Sequence, residues 1–128
     1  MNKLMIAAVA LALGAGTAAA HPGHPHDEKA EAGVKATITG EIVDMACYLG
    51  GEEHGPKHAK CAGMCVTGGA PMGLLTKDGD LYLVVADHLD EKPYEQAKKL
   101  AGGDATLTGK VTKKGGVQAL IVGKTEKP

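Results

Sequence analysis

From Val34 to Leu49 the chain reads VKATITGEIVDMACYL, with Ala36, Ile38, Gly40 and Ile42 at alternate positions before the run turns continuously apolar. A period of two puts these side chains on one face of a strand and scatters them around a helix, so one long strand is expected here. Gly40 in its middle predicts a bulge or a sharp bend. An isolated strand is not stable in water, so the rest of the chain must supply partners. GLLTKDGDLYLVVAD, residues 73–87, holds two β-rich runs around Asp78-Gly79, a hairpin signal because both residues tolerate positive φ. ATLTGKVTKKGGVQALIVG, residues 105–123, supplies two more, joined at Gly115-Gly116.

Two helices complete the pattern. EKPYEQAKKLAGG, residues 91–103, opens with Pro93, carries lysines in its last turn and ends on a Gly pair. Between the first two strands, Pro56 suits a first helical position and Gly68-Gly69 a stop, which predicts a short helix over about 56–67. The order strand, strand, strand, helix, strand, strand is the connectivity of a five-stranded, OB-like Greek-key barrel. The expected fold is therefore mainly β, with a helical Cys/His insert at 47–72 after the first strand and a helix between strands three and four. ATLTGKVTKKGGVQALIV resembles the closing hairpin of small bacterial periplasmic OB-fold proteins, and TITGEIVDMACYL resembles their first strand. The resemblance spans roughly residues 36–123 and implies a barrel and an exported location; a fold alone assigns no chemistry.

The first twenty residues, MNKLMIAAVALALGAGTAAA, combine a basic start at Lys3, an apolar run from Leu4 to Leu13 and small residues up to Ala20. This is the three-part pattern of a secretory signal peptide. The apolar run falls short of the about 20 residues that span a bilayer, so no membrane association is expected after cleavage. Cleavage after Ala20 would leave 108 of the 128 residues, beginning at His21, in the periplasm or outside the cell. Residues 21–33, HPGHPHDEKAEAG, have no apolar periodicity and are expected to be a disordered His-rich tail. The barrel domain would then run from 34 to 128. With no Phe, no Trp, three Tyr and a nearly balanced charge, the chain lacks both the basic patches and the aromatic platforms of a nucleic-acid binder.

All three cysteines and two of the six histidines fall in CYLGGEEHGPKHAKCAGMC, residues 47–65. On a helix at about 100° per residue, His58, Cys61 and Cys65 lie within about 60° of one another, which puts an imidazole and two thiols on one face. If the Gly50-Gly51 turn is tight, Cys47 at the end of the first strand folds back onto that face and completes a Cys₃His set, with His54 as a substitute or fifth ligand. The C-x₃-C spacing is similar to that of copper-thiolate sites in copper chaperones and binuclear copper domains. Those sites differ in their Pro and Gly placement and in a distant His, so binuclear chemistry is not implied. Met45, Met64 and Met72 lie in or beside the cluster, Met64 closest on the wheel, and thioethers favour copper over zinc. His21, His24 and His26 in the tail are further candidate ligands that would capture an ion and pass it inward. Asp44, just before the cluster, is placed to orient a ligating His or to serve as a turn residue.

These residues point to a non-enzymatic, exported metal-binding protein, copper ahead of zinc, that acts as a carrier, buffer or donor with a metal-giving or metal-receiving protein as partner. Two other readings compete. An exported chain lives where disulfides form, and an odd count of three permits one bridge and a leftover thiol, so an adaptor barrel with a structural disulfide is the first. A thiol-disulfide oxidoreductase is the second, although no C-x-x-C motif accompanies the cysteines. His and Cys also ligate haem iron, but few aromatics and a small core suit a bare ion better.

Overall fold

A computed structural model describes residues 33–128. The segment 1–20 expected to be a signal peptide, and the segment 21–33 expected to be a tail, with His21, His24 and His26, lie outside the described residues except for Gly33.

Five strands close into a barrel in the order β1-β2-β3-β5-β4, with β4 returning to β1. They are β1 (Val34–Asp44), β2 (Met72–Leu75), β3 (Leu81–Ala86), β4 (Asp104–Lys114) and β5 (Val117–Glu126). Three helices accompany them: α1 (Met45–Gly51) and α2 (Ala59–Thr67) after β1, and α3 (Lys92–Lys98) between β3 and β4. Every pairing is antiparallel except β3 with β5, the parallel closure that the Greek-key order demands. The OB-like barrel expected from the sequence is the observed fold.

β1 belongs to both halves of the barrel. Val34–Glu41 pair with β4, and Glu41–Asp44 pair with β2. Gly40 stands at the changeover, where a Cβ would meet the backbone of Leu75 at the end of β2, its carbonyl carbon at 2.8 Å. The glycine is thus required by a close backbone approach. The irregularity of register lies elsewhere, between Thr108 and Gly109 of β4.

The core is aliphatic: Ile42, Met72, Leu74, Val84, Leu107, Leu120 and Val122, with Val66 of α2 and Ala97 of α3 sealing it. Alternation along β4 and β5 sends Ala105, Leu107, Leu120 and Val122 inward, as a period of two requires. Among the described residues no helix is long and apolar enough to cross a membrane.

Three local expectations need correction. The first strand ends at Asp44, five residues before Leu49, because the Asp44 Oδ1 accepts a hydrogen bond from the Ala46 N–H at 2.9 Å and caps α1. The short apolar run Met45–Leu49 reads equally as strand or helix by composition, and the cap decides. The second helix starts at Ala59; residues 56–58 are turn, with the His58 N–H bonded to the Gly55 carbonyl at 2.9 Å. In the Asp78-Gly79 hairpin only Gly79 has positive φ, at 88°. Its loop is closed by the Gly79 N–H to the Thr76 carbonyl and the Asp80 N–H to the Thr76 Oγ1, both at 3.0 Å. Gly115 and Gly116 both adopt positive φ, as a two-residue hairpin turn needs.

Candidate metal centre

The end of β1 and the two helices that follow it bring the cysteines together. Cys47 sits in the first turn of α1, directly after the Asp44 cap, and Cys61 and Cys65 sit one turn apart on α2. α1 ends where Glu52 adopts a left-handed conformation, φ 55°, and donates its N–H to Tyr48. The chain then returns through 52–58 to start α2. The three Sγ atoms lie within 4.8 Å of one another, and all three are free thiols, partly exposed.

A second group shares Cys47: Asp44, Cys47 and His58 also offer ligand atoms within 4.8 Å of one another. His58 is the N-cap of α2, its side chain 14% exposed. Its Nδ1 stands 3.8 Å from Glu53 Oε2, while its Nε2 is buried without a hydrogen-bond partner. A buried ring nitrogen with no partner costs on the order of 1–3 kcal/mol, and an ion would remove that cost. The two groups meet at Cys47, with Cys61 and Cys65 in one and Asp44 and His58 in the other.

Asp44 is the addition that the structure makes to this set. It is fully buried, 1% exposed, at the junction of β1 and α1. Burial alone would raise its pKa, but hydrogen bonds from the Cys47 thiol, the Ala46 N–H and the Cys65 thiol outweigh it, and the carboxyl stays below its usual value. The reciprocal effect falls on the thiols. Cys47 is pushed up to about 12, first by its hydrogen bond to Asp44, then by burial and neighbouring negative charge. Cys65 is raised for the same first reason, with Cys61 contributing a further hydrogen bond. In the metal-free protein these sulfurs are protonated at neutral pH and donate to the carboxylate. The signal in the sequence was the cap position itself, an Asp directly before a run that begins a helix.

His54 is held outside both groups. Its Nδ1 lies 3.2 Å from Glu41 Oε2 and its ring meets Tyr48 edge-on at 5.7 Å. Glu41 also accepts the Gly55 N–H at 2.6 Å, so this carboxylate pins the connecting loop to β1. The methionines separate as well: Met72 is in the core, Met45 reaches over Gly73, and Met64 stands 64% exposed on α2.

Asp44→Asn keeps an Oδ1 to cap α1 and removes the negative charge. The Cys47 thiol is then expected to fall from about 12 toward the ordinary thiol range. In the metal-free protein, alkylation at about pH 8 should accelerate by up to tenfold per pKa unit recovered. An unchanged rate would show that Asp44 does not hold the proton on the thiol.

No protein-family model, no curated protein and no solved structure matches this chain.

Proposed function

We propose that this protein is an exported, non-enzymatic metal carrier that holds a soft or borderline ion through Cys47, Cys61 and Cys65 with His58. The observation that carries this reading is the convergence of three thiol sulfurs within 4.8 Å of one another from two separate helices. Packing gives no reason for it, since none of the three is buried in the core. Three thiolates suit Cu(I), so copper is placed ahead of zinc. Zinc is the alternative because His58, whose buried Nε2 lacks a hydrogen-bond partner, would bring a fourth ligand to the three thiolates and give the Cys₃His set that suits zinc. The partly exposed sulfurs favour ligand exchange with a partner protein over permanent burial of the ion. The basic-apolar-small pattern of residues 1–20 supports export.

Protein purified untagged from the exported compartment should contain close to one copper or zinc per chain, with thiols that react only after chelation. No metal and one free thiol per denatured chain would establish a structural disulfide and end the carrier reading. Binding must also displace protons from Cys47 and Cys65, whose thiol forms are favoured in the metal-free protein. Affinity is therefore expected to rise with pH and to fall in acid, by about tenfold per pH unit for each thiol deprotonated. A competition titration across pH that gave a flat profile would exclude thiolate ligation.

A further inference from the structure

The outer face of the barrel carries an arrangement that metal binding does not use. Along β1 and β4 the outward residues pair directly: Thr39 with Thr106, Thr37 with Thr108, and Lys35 with Lys110. Both threonine pairs close hydroxyl hydrogen bonds of 2.8 Å. The lysine pair instead sets two ammonium groups on one face, and like charges directly opposite destabilise a sheet. Neither lysine has an ion pair among the described residues. An anion between them would turn a repulsion into two attractions.

These lysines line a cavity of about 650 Å³ together with Lys124. That volume is within the usual range for small-molecule sites. Glycines leave it open: Gly33, Gly109 and Gly123 contribute no side chains to its lining. Gly123 is the extra residue of the register shift, since Thr108 faces Lys124 while Gly109 faces Val122. One wall is apolar, formed by Val85 and Ile121, which face each other across the parallel β3–β5 pair. The acidic lining residue, Asp87, spends its Oδ1 on the Leu89 N–H at 2.9 Å. Lys124 is paired with Glu126 at 2.9 Å, so the three lysines outnumber the one lining carboxylate and Lys35 and Lys110 are the two without an ion pair among the described residues. The cavity lies at the start of β1, whereas the cysteine cluster lies beyond its end.

We propose that this cavity binds a small organic oxyanion, a carboxylate or phosphate on an apolar body. The charged group sits between Lys35 and Lys110, and the body lies against Val85 and Ile121. The site is separate from the metal centre and does not depend on it.

The test is an NMR titration of the full, isotope-labelled chain with hexanoate, with hexyl phosphate, and with the neutral hexanamide. Saturable shifts are expected at Lys35, Gly109, Lys110, Ile121 and Gly123 with one or both anions and not with the amide. Lys110→Gln should weaken binding by about tenfold, the loss of one charged hydrogen bond. Gly123→Val should abolish it by filling the cavity, and its own Cβ meets only ordinary contact, 3.7 Å from the Thr108 carbonyl. Equal shifts with hexanamide, no saturable shift, or indifference to both substitutions would overturn the proposal. Binding seen only after Asp27→Asn, Glu28→Gln and Glu31→Gln would also overturn it, because the occupant would then be the chain's own acidic segment.

Discussion

Replacing Cys47 by Ser is expected to lower metal affinity by about two to three orders of magnitude. Structural metal sites release on the order of 10–16 kcal/mol over four ligands, so one thiolate corresponds to about 2.5–4 kcal/mol. Cys47 is the strongest choice because it alone belongs both to the thiol group with Cys61 and Cys65 and to the group with Asp44 and His58. Cys61→Ser leaves the second group complete and should cost less. Neither substitution touches the core: α1 buries no residue, and Cys61 is only partly buried. A thermal midpoint within a few degrees of the parent would confirm an intact barrel, and an unchanged ion content and affinity would then remove Cys47 from the site.

Gly102→Ala should produce the largest loss of stability among single-methyl additions and should weaken metal binding with it. Gly102 closes the turn after α3 at φ 83°, a conformation that costs a residue with a side chain about 1 kcal/mol or more. Its new Cβ would also run into the backbone of Ala59, with the Ala59 Cα at 2.6 Å and the Ala59 carbonyl oxygen closer still. Backbone atoms cannot rotate away, so either the turn or the start of α2 must shift. The turn is fixed to β1 from both sides, by the Gly102 N–H to the Ile42 carbonyl at 2.7 Å and the Ile42 N–H to the Gly103 carbonyl at 2.9 Å. α2 is therefore the element that yields, and it carries Cys61 and Cys65. A loss of at least about 2 kcal/mol, or about 10 °C in Tm for a domain of this size, is expected. Gly69→Ala is the control: its φ is 102° but nothing lies within 4 Å, so it should show the conformational cost without the collision. Equal losses in the two variants would show that the contact with Ala59 does not matter.

The sheet was readable residue by residue because its information is local. Alternation at Ala36, Ile38, Gly40 and Ile42, the turn glycines Gly79, Gly115 and Gly116, and Pro93 at the head of α3 each act within a few positions of themselves. Their order along the chain then leaves the OB-like barrel as the closure that buries one face of every strand. The short run Met45–Leu49 was not readable in this way, since five apolar residues fit a strand edge and a helix alike.

The barrel, the position of the insert and the residue types that carry the chemistry, three thiols and two imidazoles in nineteen residues, were legible before any packing was known. Which of them meet depends on the folded chain. A cap at Asp44 turned Cys47 from a strand end onto a helix and buried a carboxylate against two thiols. Glu41, thirteen residues before His54, drew that imidazole away from the group and left His58 with an unpartnered nitrogen. The register that sets Lys35 opposite Lys110, seventy-five positions apart by number, is likewise a product of barrel closure. The division follows the physics: turn, cap and alternation preferences act over a few residues, whereas side chains converge across distances that only the packed core fixes.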